Sequence, residues 1–199
     1  MSLIVGDSAK ASRPGEINID PGKFLDYFDV GGVKKIYYLS LFKILSNEVL
    51  IRRFENDTVI HNYIEKVEHF QLGCVNPSVV VNKSKGIIAT YTNLANNSGA
   101  FVPVIKVTQE RLDLVRNMPV FDGKKIATVS LYMGYEDQEQ DAWFDFEPYL
   151  PNCFTDDLSA YRHCFDRMEK KDWDNLDEAI GLLENPEDPG LYYISEEKS

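Results

Sequence analysis

With 199 residues, 44% hydrophobic, 12% aromatic and 27% charged, the chain can bury one sizeable core and lies outside the low-hydrophobicity regime of disordered proteins. The net charge of -11 is uneven: residues 1–134 hold 16 Lys+Arg against 13 Asp+Glu, and residues 135–199 hold 5 against 19. An acidic field repels phosphate, so nucleic acid and anionic membrane surfaces are poor partners, whereas a basic protein surface or a divalent cation suits it.

The first 22 residues, ending "SRPGEINIDPG", hold two Pro-Gly steps and no periodicity, and read as a mobile arm ahead of a single domain over 23–199. No basic n-region or apolar core opens the chain, so no secretory leader is expected. Cys74, Cys153 and Cys164 match no disulfide framework or zinc ribbon, which fits a reducing cytoplasm. In a helical part spanning 23–73, Val33, Ile36, Tyr37, Leu41, Ile44 and Leu45 recur at helical spacing. They predict one buried helix from about Val33 to Arg53, interrupted by too many charges to span a membrane. Its apolar residues cover most of the circumference, which predicts a homodimer through this helix. Asn56-Asp57-Thr58 offers caps for a second helix over about 58–71.

From Cys74 the period changes to two and β-branched residues take over. "SVVVN", "GIIATYTNL", "FVPVIKV", "KIATVSLY" and "WFDFE" read as strands of a β core over 74–150, separated by the short turns "NKSKG", "NNSG" and "FDG" that imply antiparallel pairing. Over 151–199 the helical period returns. Leu158, Tyr161, Phe165 and Met168 form one stripe and Trp173, Leu176, Ile180 and Leu183 a second, giving an acidic helical hairpin before an apolar tail. The sum is an α+β domain: a five- or six-stranded antiparallel barrel-like sheet packed by amino-terminal helices and the carboxy-terminal hairpin.

The succession "NPSVVV", "GIIATYTNL", "PVIKV", "GKKIATVSLYMG" and "WFDFEP" resembles an uncharacterised bacterial family, one of the domains of unknown function with a β-rich core and an acidic aromatic motif. The resemblance covers roughly residues 74–150. It implies a soluble bacterial protein and brings no activity, cofactor or catalytic residue.

"EDQEQDAWFDFEP" (136–148) is the densest chemical stretch. Asp137, Glu139 and Asp141 have the one, three, five spacing of an EF-hand loop, but Ala142 stands where the turn needs Gly and Pro148 where the loop needs a bidentate Glu. These carboxylates remain metal candidates of a looser kind, and no cofactor is expected. Neighbours on a strand alternate faces, so if Phe144 and Phe146 point inward, Trp143 and Asp145 point outward. Trp143 with Asp145 and Asp141 then forms a binding candidate for a Lys or Arg of a partner. His163 and Cys164 are adjacent on a helix and cannot act as a base-nucleophile pair. His61 and His69 are eight apart, roughly 12 Å, too far for one metal. No catalytic residue is assigned. The leading reading is an interaction module, with an enzyme using a carboxylate-based metal site, or an acidic immunity-type protein binding a basic partner, as alternatives.

Overall fold

Residues 3–5, 13–95, 101–135 and 142–194 are described by the computed structural model. Helices α1 (Pro21–Tyr27), α2 (Gly32–Ile44), α3 (Asn47–Arg53) and α4 (Thr58–Leu72) come first, after the short strand β1 (Leu3–Val5). Asp20 accepts from the Lys23 amide at 2.9 Å to start α1, and Asp57 accepts from the Val59 and Ile60 amides to start α4. Each oxygen satisfies first-turn N–H groups that have no partner inside the helix.

The single buried helix predicted over 33–53 is corrected on both counts. Extended backbone at Leu45 and Ser46, with ψ of 141° and 158°, ends α2 and opens α3, and no residue of α2 is buried. Its apolar residues divide into two stripes. Tyr38, Leu41, Phe42 and Leu45 lean on the core, where Phe42 stacks on Tyr63 of α4 at 3.9 Å between centroids. Val33, Ile36, Tyr37 and Ile44 face outward.

Within the segment read as a mobile arm, residues 13–20 lie along the core. Pro14 bridges Cys74, the amides of Gly15 and Ile17 donate to the carbonyls of Gly73 and Phe70, and Ile17 and Ile19 are buried. Gly15 is there for closeness: a Cβ on it would stand 2.5 Å from the Phe70 carbonyl oxygen. A Pro-Gly step therefore marks a tight approach here as well as a turn.

Strands β2 (Cys74–Asn82), β3 (Ile87–Asn93), β4 (Pro103–Gln109), β5 (Lys125–Tyr135), β6 (Asp145–Tyr149) and β7 (Gly190–Tyr193) join β1 in one antiparallel sheet. The order is β1-β5-β2-β3-β4-β7, with β6 also on β5. Met133 pairs with Val5 and with Asp145, so β1 and β6 flank opposite edges of β5. The sheet curls. Lys106 on β4 touches Asp145 on β6 at 2.8 Å, although three strands separate them in the ladder; a flat sheet at about 4.8 Å per strand would hold them on the order of 19 Å apart. The fold is α+β with a barrel-like sheet.

After a 3-10 turn at Pro151–Cys153, α5 (Leu158–Asp166) and α6 (Lys170–Gly181) follow one another, and the rings of Phe165 and Trp173 meet at 4.9 Å between centroids. Asp157 caps α5, and Glu169 with Asp172 makes a reciprocal capping box on α6. Leu176 and Ala179 of α6 pack on Val79, Ala89, Ile105 and Val107 of the sheet. No described helix is long and apolar enough to cross a membrane.

Candidate functional site

Among the described residues the outer face of α2 departs clearly from ordinary burial. Val33, Ile36, Tyr37 and Ile44 are 84%, 67%, 49% and 76% exposed. Positions 33, 36, 37, 40 and 44 share one helical face. Ser40 sits at its centre with its hydroxyl donated to the Ile36 carbonyl at 2.9 Å, so the small residue leaves no polar group unmet.

A second feature is the polar interior of the sheet. Strand alternation puts Asn76, Ser78, Thr90, Thr92, Thr128 and Ser130 on one face, all buried. Ser78 Oγ lies 2.8 Å from both Thr90 Oγ1 and Thr128 Oγ1, which ties β3, β2 and β5 together by side chains as well as backbone. The Thr92 hydroxyl donates to Asn76 Oδ1 at 3.0 Å and lies 2.6 Å from the Tyr132 hydroxyl. Phe146 of β6 closes this end, fully buried beside Leu94 and Val104. Trp143 is half-buried, its amide donating to the Leu94 carbonyl at 2.8 Å and its ring 6.4 Å from Tyr132.

Asp145 has a cation within its own chain. Lys106 Nζ donates to Asp145 Oδ1 at 2.8 Å and to the Phe146 carbonyl at 2.6 Å. The carboxylate singled out to receive a partner's Lys or Arg is thus already paired. Asp137, Glu139 and Asp141 lie outside the described residues. Among the described residues no group of three or more His, Cys, Asp or Glu side chains is placed to hold a metal ion.

The third feature is a buried carboxyl. Glu110 Oε1 accepts from the Tyr27 hydroxyl at 2.9 Å, while Oε2 faces the Leu150 amide at 3.5 Å and Cys153 Sγ at 3.8 Å. Burial raises its pKa to about 7, against the pull of these donors. The Cys153 thiol is pushed far up by burial and by Glu110, so the thiolate needed for attack is disfavoured. His69, fully buried with Nε2 2.8 Å from the Val129 carbonyl, is lowered to about 3 by burial and by Lys66. Cys164 donates to the Gly15 carbonyl and is raised to about 11 by burial. These groups hold protons and hydrogen bonds; none is activated as a nucleophile.

Lys106 and Glu110 are the residues that sequence patterns do not single out. Lys106 carries a signal all the same, a lone cation at an alternating position of "PVIKV". Glu110 carries none, because its burial depends on Tyr27 and Cys153, which are far off in the chain.

A family model described as Protein of unknown function (DUF3239) matches residues 63–184, from the middle of α4 through α6. No curated protein and no solved structure matches the chain.

Proposed function

The chain belongs to the family described as Protein of unknown function (DUF3239), which assigns it no activity, and from that footing we propose that it is an interaction module that pairs with a second copy of itself through the outer stripe of α2. One observation carries the reading: four large apolar side chains, Val33, Ile36, Tyr37 and Ile44, share a helical face and lie open to water. A two-fold contact presents the same stripe from both copies, so one pairing covers both at once. Ser40 at its centre lets the two helices approach closely. Burying an aliphatic side chain of this size contributes about 1.5–3 kcal/mol, so a few such residues support a stable pair. The burial of all three cysteine side chains, Cys74, Cys153 and Cys164, supports a reducing cytoplasm as its compartment. The acidic carboxy-terminal third supports a basic protein as the further partner.

Light scattering across a hundredfold range of concentration tests the pairing. A dimer mass is expected for the parent chain and a monomer mass for a chain carrying Ile36→Glu and Ile44→Glu, with unchanged circular dichroism because neither residue is buried. A monomer mass for the parent at every concentration overturns the reading.

A further inference from the structure

β7 ends the strand order, pairing with β4 on one edge and with no described residue on the other. Its hydrogen-bonding parity follows from the register. The Ile194 amide donates to the Pro103 carbonyl at 3.0 Å, while Tyr193 stands opposite Val104 and Tyr192 opposite Ile105. Residues of an antiparallel ladder turn their backbone groups alternately toward and away from a given neighbour. Ile194 and Tyr192 therefore bond to β4, and the N–H and C=O groups of Leu191 and Tyr193 point away from the sheet.

Beside this open edge runs a groove of about 420 Å³ between the end of α6 and β7, lined among others by Leu182, Leu183, Glu184, Asp188, Tyr192 and Tyr193. Leu182 and Tyr193 are 60% and 62% exposed. Glu187 close by is paired with Lys85 at 2.6 Å, but Glu184 and Asp188 form no ion pair among the described residues. The groove thus joins an apolar floor to two unneutralised carboxylates and a row of free backbone donors and acceptors.

We propose that this edge and groove take an extended segment of a partner protein in which Lys or Arg alternates with aliphatic residues, added to the sheet as a strand beside β7. Strand addition draws affinity from main-chain hydrogen bonds and specificity from pockets for alternate side chains. Charge selects the occupant. A second copy paired edge to edge would bring Glu184 and Asp188 of both chains to one seam. A basic segment neutralises them. This inference stands apart from the α2 pairing, and its test runs equally on the chain carrying Ile36→Glu and Ile44→Glu.

The probe is a fluorescein-labelled decapeptide alternating Val and Lys, titrated with the full-length chain by fluorescence polarisation, with a Val and Glu peptide as control. Saturable binding of the Lys peptide alone is expected. Tyr193→Pro removes an outward N–H without touching the ladder to β4 and should weaken binding at least tenfold, with unchanged circular dichroism. Glu184→Lys with Asp188→Lys, both at the surface, should do the same and transfer preference to the Glu peptide. No saturation by about 1 mM, equal binding of both peptides, or binding unmoved by these variants overturns the proposal. So does a doubling of mass that Tyr193→Pro abolishes and the α2 variant keeps, which would make the occupant a second copy.

Discussion

Replacing Glu110 with Gln should change the protein's stability in a pH-dependent way whose sign is set by burial. The folded chain holds the Glu110 proton up to about pH 7, whereas the same group when exposed releases it near its ordinary 4.5. Between these values the folded state binds the proton more tightly, so its contribution to stability is fully present at low pH and is lost as pH rises toward 7. At about 1.4 kcal/mol per pH unit over that interval the loss is about 3 kcal/mol. Gln keeps an oxygen for the Tyr27 hydroxyl and never ionises. The stability of Glu110→Gln relative to the parent should therefore climb by about 3 kcal/mol from pH 4.5 to 7 and stay level above. His69 works in the opposite direction: its pKa is lowered to about 3, so its contribution is present above 6.5 and lost as pH falls. That slope is common to both proteins and cancels in the difference. Urea unfolding followed by circular dichroism at several pH values and constant ionic strength supplies the measurement. A difference that stays constant across the range refutes the buried, proton-holding carboxyl.

Phe146→Ala, emptying a fully buried ring position beside Leu94 and Val104, should cost about 3–5 kcal/mol in the same unfolding assay; a cost under about 1 kcal/mol would mean the curled sheet does not close over this ring. Lys106→Met keeps the aliphatic stem but leaves Asp145 and the Phe146 carbonyl without their donor, and should cost about 1–2 kcal/mol for a pair still partly reached by water. A double-mutant cycle with Asp145→Asn should return a coupling of similar size, and a coupling of zero would show that the contact adds nothing to closure.

The strands and the helix starts are legible in sequence because their causes are local. Period-two β-branched runs fix β2 through β5, and Asp57 and Asp157 mark the first turns they cap. The break between α2 and α3 is not legible, since no Gly or Pro stands between 33 and 53; it redirects the chain so that Leu50 enters the core while the α2 stripe stays outside. β1 and β7 are too short to show a period, and each is defined by a partner strand far along the chain. The same limit governs the candidate sites. Density of charge and aromatics points to Trp143 and Asp145, but Lys106 meets Asp145 only because the sheet curls. The carboxylate with the displaced pKa, Glu110, looks like any polar residue at a strand end until Tyr27 covers it.

The pairing of β4 with β7 also sets a timetable. β4 ends at Gln109, and the strand that covers its outer edge begins at Gly190. A ribosome adding about 5–20 residues per second needs on the order of 4–16 s to bridge that gap. Through that interval Val104 to Val107 can sit beside β3 with a bare edge, a template for pairing with any extended chain nearby. The nascent protein thus carries an uncovered β4 edge until Gly190–Tyr193 emerge, and a chaperone that holds extended segments could act on this edge through that interval.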